Sequence, residues 1–395
     1  MTDLRLPKWP EYQDDEIDSV RDVLSSGKVN YWTGDICNQF EVKFSQSVGC
    51  NFGIALANGT LALELALKSL KLESADEVIV PARSYFATAA AVVNVGAKPV
   101  FADIELETQN LSLDTISKAI SPNTKALICV HLSGLPCDMP AIQKLAKQKQ
   151  LFVIEDCAQA HGASVDGRSV GSFGDVSCWS FCQDKIMSTG GEGGMVTTNN
   201  KDLYFFMRSY KDHGKNFAKV LETQGGSNAT FKWVHDEFGS NYRMTEMQAA
   251  IGLKQLSKLK TWVRKRRANA TLLIDAAGDL PWLEFPKSDL NFFNSRYRLF
   301  GMVEHPKLEN EVARDMVLSR FREFGLPCFQ GTCPEIYREK SFVDSGLRPK
   351  QRLKNASELS SRAIMFLVHH NLCDESMERY SNALVEAIAS LKDDF

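Results

Sequence analysis

SFCQDKIMSTGGEGG, residues 180–194, joins two β-like runs through a polar, glycine-rich turn that carries one lysine, Lys185. The run before it, 176–181, is apolar and alternating, and the run after it, 195–198, is again β-like. A lysine just past a strand and ahead of a glycine-rich loop can be held near a ligand by rigid backbone. Taken alone, the pattern is more typical of a solvated lysine beside a hairpin turn, so the rest of the chain must decide.

The composition of the 395-residue chain is that of an ordinary globular protein, with 44% hydrophobic and 24% charged residues. A formal net charge of −3 gives no reason to propose binding to nucleic acid or to a membrane. No apolar run approaches the roughly 20 residues that span a bilayer, and residues 1–10 lack a signal-peptide pattern. A cytoplasmic location is therefore expected.

The ten cysteines and seven histidines do not form a metal-binding pattern. No two cysteines have CxxC spacing, and several lie inside apolar runs, among them Cys129, Cys157 and Cys178. In a reducing compartment such cysteines are expected to be small buried hydrophobes. The sequence predicts no metal site.

Alternating strands and helices between residues 52 and 198 predict the fold class. The strands are predicted over 52–57, 77–81, 99–104, 125–131, 151–155, 176–181 and 195–198, with helices over 61–72, 85–95, 113–120 and 139–148. Several strands are apolar on both faces, which is typical of a mainly parallel sheet covered by helices. No GxGxxG motif follows the first strand, so the dinucleotide-binding form of this architecture is not supported.

The flanking segments predict a second, smaller unit. Further helices are predicted over 11–26, 40–48, 201–210 and from Thr245 to about residue 267, and a long loop over 211–236. The basic run 258–267 is assigned to the solvated face of its helix. Short strands and helices between residues 282 and 391 indicate an α+β unit. The chain is therefore divided into a large domain, 1–265, with an N-terminal helical segment, and a small C-terminal domain, 266–395.

Four features that suit ligand binding follow one another along the chain. They are the small polar turn Gly59-Thr60 before a helix, the aromatic turn Ser84-Tyr85, the strand-end acid Asp156 and the strand-end lysine Lys185. A helix N-terminus suits a phosphate, although ordinary capping by Asn58 or Thr60 explains the same residues. Ligands of such sheets bind at the carboxyl ends of the strands, where Asp156 lies, although capping of the next turn explains Asp156 equally well.

Together these features are the parts needed to hold pyridoxal 5′-phosphate (PLP). The phosphate needs N–H groups and hydroxyls, and the ring needs an aromatic face above it. The ring nitrogen needs a carboxylate that keeps it protonated, and the aldehyde needs a lysine with which to form a Schiff base.

Several spaced motifs give the chain a family resemblance. They are EDCAQAHG at 155–162, SF at 180–181 followed by Lys185 and GEGG at 191–194, NGTLAL at 58–63, and NYRMTEMQAAIG at 241–252. The chain resembles the DegT/DnrJ/EryC1/StrS family of PLP-dependent sugar aminotransferases from about residue 11 to the C-terminus. The resemblance implies the aspartate-aminotransferase-like fold, fold type I, with a large mainly parallel-sheet domain and a smaller C-terminal α+β domain.

The resemblance also implies a role for each matching residue. Lys185 would carry PLP as a Schiff base and move the substrate proton. Asp156 would pair with the ring nitrogen, Gln159 would bond the ring hydroxyl, and Tyr85 would stack on the ring. The phosphate would be held by Gly59, Thr60 and Ser180, and Asn241 would reach the phosphate in the neighbouring subunit. The implied assembly is a homodimer with shared active sites. Burial and the cofactor are expected to lower the pKa of Lys185.

The implied reaction moves an amino group from an amino acid, glutamate in most of the family, through the pyridoxamine form to a keto-sugar nucleotide. Gly191-Glu192-Gly193-Gly194 favours a 4-keto-6-deoxy sugar linked to UDP, dTDP or GDP. The alternatives are amination at C3, a keto-inositol substrate, or a non-catalytic PLP-binding sensor. Segments 28–35, 211–236 and 329–337 are predicted to contact the sugar. The chain departs from the family pattern at Cys182, at Asp184 and in one additional loop residue at Gly190-Gly191.

Overall fold

The computed structural model describes residue 4 and residues 6–224, 233–286 and 291–392, except for the side chains of 221–224. Part of the loop predicted over 211–236, residues 225–232, therefore lies outside the described residues, as do residues 287–290 of the small unit.

Thirteen α-helices and fourteen β-strands form the described part of the chain. The strands are β1 Phe52–Leu56, β2 Glu77–Pro81, β3 Lys98–Ala102, β4 Thr124–Val130, β5 Phe152–Asp156, β6 Ser164–Val165, β7 Arg168–Ser169, β8 Val176–Ser180, β9 Gly194–Thr198, β10 Leu283–Glu284, β11 Phe292–Phe293, β12 Leu299–Val303, β13 Cys328–Phe329 and β14 Ala363–Phe366. The helices are α1 Asp14–Ser26, α2 Ile36–Ser47, α3 Gly59–Ser69, α4 Phe86–Asn94, α5 Leu113–Ala119, α6 Met139–Lys149, α7 Lys201–Tyr210, α8 Phe217–Gln224, α9 Glu246–Ala277, α10 Asn310–Glu323, α11 Lys340–Asp344, α12 Lys354–Arg362 and α13 Asp374–Ala389.

A seven-stranded sheet in the order β1-β9-β8-β5-β4-β2-β3 is the centre of the large unit. Strand β9 runs antiparallel to both of its neighbours, whereas the other adjacent pairs are parallel. Because side chains alternate between faces, Val78 and Val80 pack in one buried cluster with helices α3 and α4, and Ile79 packs in another with α5 and α6. The sheet is thus covered on both sides, and the predicted α/β class is confirmed.

The small unit is built on the antiparallel sheet β10-β12-β14-β13. Residues Leu299 and Ile364 of this sheet pack in one apolar cluster with α10, α13 and the C-terminal part of α9. Helix α9 has 32 residues and runs without interruption through the predicted boundary at residue 265, so the exact division into domains stays a prediction. Its start is as predicted, because Thr245 caps it and forms a capping box with Gln248.

Two predictions of local structure need correction. Helix α9 ends at Ala277 rather than near residue 267. The predicted end is too early because the basic residues before position 267 interrupt the apolar periodicity of the sequence. The predicted loop 211–236 contains helix α8, which was missed because the segment is short and polar. The cysteines are confirmed as free thiols, and seven of the ten are buried.

Glu155 and Asp156, adjacent on β5, have different functions because their side chains point to opposite faces of the sheet. The Glu155 carboxylate is fully buried and accepts hydrogen bonds from the backbone N–H groups of Gly171, Phe173 and Gly174 at 2.6–2.9 Å. Its Oε2 atom also lies 3.0 Å from His131 Nε2. Glu155 therefore fixes the loop that leads into β8.

Replacing Glu155 with glutamine is expected to destabilise the fold. The amide nitrogen would face backbone N–H donors, and an unsatisfied buried donor costs about 1–3 kcal/mol. The free energy of unfolding from urea titration should fall by about this amount, while the control Glu73→Gln, at an exposed position, should stay within about 0.5 kcal/mol of the wild type. Equal stability of the two variants would contradict the assignment.

Candidate active site

One cavity of about 580 Å³ opens at the carboxyl ends of β2, β5 and β8. The lining includes seven of the eight predicted site residues, namely Gly59, Thr60, Tyr85, Asp156, Gln159, Ser180 and Lys185. These residues come from four separate stretches of sequence, and only the sheet topology brings them together. The position of Lys185 in this cavity excludes the solvated-lysine alternative.

The corner formed by α3 and β8 is suited to a phosphate. Gly59 and Thr60 are the first two residues of α3, and N–H groups in this position have no partner within the helix. Asn58 caps the helix by accepting from Leu61 N–H at 2.9 Å, so capping and an anion-binding turn coexist. A Cβ atom at Gly59 would lie 2.7 Å from the Cβ atom of Ser180, which shows how closely α3 and β8 approach each other.

Asp156 lies on the buried floor of the cavity. Its Oδ2 atom accepts from Thr88 Oγ1 at 2.9 Å, and its Oδ1 atom accepts from Ala158 N–H at 3.2 Å. Burial raises the pKa of Asp156, against the effect of these hydrogen bonds and of Lys185. A cationic N–H group placed in the cavity would therefore find a fixed, desolvated carboxylate as its partner.

Gln159 and Tyr85 provide a donor and an aromatic face. The Oε1 atom of Gln159 accepts from Ser133 N–H at 2.8 Å, and this bond leaves the amide NH₂ group as a donor on the cavity side. The Tyr85 ring borders the cavity and is 66% exposed, so it has a large apolar face that the described residues do not cover.

The Lys185 side chain lies in a cluster with Asp184, Tyr297 and Arg298 that the sequence did not predict. Its Nζ atom lies 3.6 Å from Asp184 Oδ1 and 5.1 Å from the centre of the Tyr297 ring. Tyr297 also donates a hydrogen bond to Asp184 Oδ2, and the Nη2 atom of Arg298 lies 3.9 Å from the same oxygen. Asp184 is thus turned towards the lysine rather than away from it.

Among the chain's own residues, the pKa of Lys185 is raised rather than lowered, and the predicted effect of the bound cofactor stays a prediction. Burial does act to lower this pKa, but the interactions with Tyr297 and Asp184 outweigh it and raise the pKa of Lys185 above its usual value. For Asp184, burial is outweighed by Lys185, Tyr297 and Arg298, which together hold the pKa of its carboxyl below the usual range. The pair is therefore charged at neutral pH.

Replacing Asp184 with asparagine is expected to shift the pH dependence of catalysis. Loss of the carboxylate charge lowers the pKa of Lys185, so the neutral amine forms at lower pH, and the ascending limb of the kcat–pH profile moves to lower pH. Asp184→Glu keeps the charge and is the matched control. A profile that is the same for all three proteins would show that Asp184 does not act on the lysine.

The N-terminal segment contacts the loop that follows the lysine. Trp9 Nε1 donates to the Lys185 carbonyl oxygen at 3.2 Å, and the Tyr12 hydroxyl lies 3.1 Å from Ser188 Oγ. The carbonyl oxygen of Lys8 accepts from Asn371 Nδ2 at 3.1 Å. Residues 8–12 therefore connect the lysine loop to the small unit, a contact that no sequence motif indicated.

The glycine loop accommodates its additional residue through left-handed backbone. Gly190 and Gly191 have φ values of +88° and +120°, which side chains rarely allow. Glu192, the next residue, lines the cavity, and its Oε1 atom lies 4.0 Å from the Cys182 sulfur. Two of the positions that depart from the family pattern, Cys182 and Asp184, therefore line the cavity, and Gly190-Gly191 directly precede a third lining residue, Glu192.

Asn241, the eighth predicted site residue, lies outside the cavity. It is exposed and pairs through its backbone with Asp212, in the segment that precedes α9. This exposed position is compatible with the predicted contact to a neighbouring subunit, which stays a prediction.

The residues of the cavity fit PLP. N–H groups and hydroxyls occupy one corner, a buried carboxylate lies on the floor, and a single lysine lies at the end of β8. Gly59 has no side chain, and an added Cβ atom would collide with Ser180. The N-terminus of α3 is therefore left open to an anionic group.

Comparison with known proteins agrees with this arrangement. The model of the DegT/DnrJ/EryC1/StrS aminotransferase family matches residues 10–385. The chain belongs to this family. Members of the DegT/DnrJ/EryC1/StrS family depend on PLP, so the chain is a PLP-dependent aminotransferase, as the sequence predicted.

Individual relatives cover most of the chain. A GDP-perosamine synthase of Escherichia coli O157:H7 is 40% identical over 79% of this chain and 81% of its own length. A UDP-N-acetyl-3-dehydro-alpha-D-glucosamine 3-aminotransferase of Acidithiobacillus ferrooxidans is 39% identical over 68% of this chain and 69% of its own length. An aminotransferase structure from Psychrobacter cryohalolentis superposes with a TM-score of 0.94, at 43% identity, covering 98% of this chain and all of the other. The predicted fold type I is thus confirmed.

Among the residues that the structure describes, no helix combines the length and apolar character needed to cross a membrane. The three buried residues His131, Glu155 and Cys157 place possible metal ligands within 4.8 Å of one another. The carboxylate of this group already accepts the several hydrogen bonds described above, and these account for its burial.

Proposed function

We propose that this aminotransferase transfers an amino group from an amino acid, glutamate in the first instance, to a keto-sugar carried by a nucleotide. The main support for this proposal is that Lys185, Asp156 and the phosphate-suited corner all line one cavity. The names of the two relatives, which describe enzymes of GDP- and UDP-linked amino sugars, support the class of acceptor.

PLP, when bound, supplies an electron sink that stabilises negative charge on the substrate carbon next to nitrogen. Lys185 then moves a proton to and from that carbon, for which it needs its neutral amine. Asp156 holds a proton at the ring nitrogen position, and its bonds from Thr88 and Ala158 fix the carboxylate in place. Gly59, Thr60 and Ser180 would bind the phosphate, Gln159 would donate to the ring hydroxyl oxygen, and Tyr85 would cover the ring.

We assign a 4-keto-6-deoxy sugar as the acceptor because Glu192 belongs to the sequence GEGG and lines the cavity. Amination at C3 is the second candidate, favoured by the activity for which the relative from Acidithiobacillus ferrooxidans is named. We further propose a homodimer in which the exposed Asn241 reaches the phosphate of the neighbouring site.

Two measurements test the proposed function. Purified enzyme should show the visible absorbance of lysine-bound PLP, and glutamate should bleach it. Mass spectrometry after incubation with glutamate and a panel of UDP-, dTDP- and GDP-linked 3- and 4-keto sugars should show one product in which a carbonyl has become an amine. Bleaching by glutamate without any aminated sugar would overturn the choice of acceptor, and failure to take up PLP would overturn the site assignment itself.

A further inference from the structure

A second, much smaller pocket adjoins the active-site cavity at the junction with the small unit. Its volume is about 10 Å³, close to the space of one water molecule, and its polar lining includes Gln109, Ser133, Arg296 and Arg298. The two pockets share their wall. Ser133 donates to Gln159 of the large cavity, and Arg298 lies 3.9 Å from Asp184 of that cavity.

Two buried residues at this pocket carry hydrogen-bond donors without acceptors in the described part of the chain: Gln109, which lines it, and Arg83, which is bonded to Gln109. Arg83 is fully buried, and its Nε atom donates to Gln109 Oε1 at 3.0 Å, but its Nη1 and Nη2 atoms have no partner among the described residues. Because the Gln109 oxygen is held by Arg83, the Gln109 amide nitrogen is fixed as a donor, and it too has no partner in the described part of the chain. Gln109 is 2% exposed and lines the pocket.

The charge around the pocket is positive. Arg296 and Arg298 line it, Arg83 lies directly behind Gln109, and no acidic side chain is found among the described lining residues. Burial lowers the pKa of Arg83 and of Arg296 to about 10 in each case, with Arg267 also contributing at Arg296, so both remain charged at neutral pH. Buried cations without counter-ions are costly, and an anionic ligand would remove that cost.

The backbone at this pocket is held in an unusual conformation. Gln109, Ser133 and Arg296 have φ values of +61°, +57° and +55°, in the left-handed region that residues other than glycine seldom adopt. All three line the same pocket. Strain of this kind persists where the surrounding structure fixes it, and three such residues here lie at one pocket.

We propose that this pocket is a carboxylate-binding subsite that takes one carboxylate of a substrate while the reacting carbon lies at Lys185. Its size admits a terminal oxygen rather than a whole substrate, and planar guanidinium groups match carboxylate geometry. The proposal rests on the proposed function, and the carboxylate belongs either to the amino-acid donor or to an acidic sugar acceptor.

Gln109→Glu is the decisive variant, because it should fold well and still lose the ligand. The new carboxylate has the shape of the amide and pairs with Arg83, so thermal stability should be unchanged or higher. The negative charge of the new glutamate also takes the place of the Gln109 amide donor, and it repels a substrate carboxylate. Arg296→Met removes one cation and is the second variant, and Arg168→Met, at an arginine that stacks on Phe173 away from both pockets, is the matched control.

The first measurement is the bleaching of the holoenzyme by glutamate. In Gln109→Glu and Arg296→Met, the half-saturating glutamate concentration should rise at least about tenfold, with little change in the maximal rate, because a hydrogen bond to a charged group is lost. Calorimetric titration with glutarate, which cannot react, should show the same loss of affinity. Arg168→Met should behave as wild type in both.

The second measurement distinguishes the source of the carboxylate. If the acceptor provides it, glutamate and glutarate are unaffected, and the variants lose at least about tenfold in KM for a keto-uronic-acid nucleotide but not for the matching 6-deoxy sugar. Unchanged constants for glutamate, glutarate and the uronic acid would overturn the subsite. Glutarate binding does not need turnover, so this result is separable from failure of the transamination itself.

Discussion

Replacement of Lys185 with alanine is expected to lower kcat by about 10²–10⁴-fold or more, the range that a positioned proton-transfer group contributes. Lys185 is the only lysine in the described lining of the cavity, so no other amine in that lining can replace it. The visible absorbance of lysine-bound PLP should disappear as well, because the covalent link is lost. Steady-state kinetics and the absorption spectrum of the purified variant test both points.

The fold should survive this change. Loss of the Lys185 side chain leaves the contacts of its backbone intact, including the bond from Trp9 to its carbonyl oxygen. Thermal unfolding of the variant should therefore remain cooperative. Lys144→Ala, at an exposed position of α6, should retain both the spectrum and the activity. A Lys185→Ala protein with more than a tenth of the wild-type kcat would refute the assigned role.

Asp156→Asn is expected to lower kcat by about 10- to 150-fold. The substitution keeps the size of the side chain: the amide oxygen can still accept from Ala158 N–H, and the amide nitrogen can donate to the Thr88 hydroxyl, so mainly the negative charge is lost. Hydrogen bonds to charged groups contribute about 1.5–3 kcal/mol, and 1.36 kcal/mol corresponds to a factor of ten in rate. Single-turnover bleaching by glutamate measures the loss directly in the first half-reaction.

The adjacent residue provides the control for Asp156. Glu155 lies on the same strand but points to the other face, so Glu155→Gln should lose stability and keep most of its kcat. Asp156→Asn should show the opposite, with nearly normal stability and low kcat. If both variants lose activity in parallel with stability, the Asp156 carboxylate has no separate chemical role.

The fold and most of the site could be predicted from the sequence because their signals are local. The apolar strands alternate with helices, and Asp156 and Lys185 each follow a strand whose pattern is plain. The capping box at Thr245 is equally local. Helix α8 could not be predicted in this way, because eight polar-flanked residues give only a weak periodic signal.

The electrostatic environment of Lys185 could not be predicted for a different reason. Tyr297 and Arg298 are more than 100 residues away in the chain and reach the lysine because the segment before β12 is hydrogen-bonded to Ser133 of the large unit. The two opposing effects on the pKa of Lys185 are both plausible from the sequence, and only the positions of Tyr297 and Asp184 around the amine decide between them. The same holds for the orphan donors of Arg83 and Gln109, which no motif connects.

The contact of the N-terminal segment with the lysine loop has a practical consequence for handling the enzyme. A purification tag fused to the amino terminus would lie only a few residues from Trp9, whose indole donates a hydrogen bond to the carbonyl oxygen of Lys185. Tyr12 holds Ser188 on the same loop. Kinetic constants should therefore be compared between tag-free and carboxyl-tagged preparations, because an amino-terminal fusion can alter the reacting amine without touching the substrate pocket.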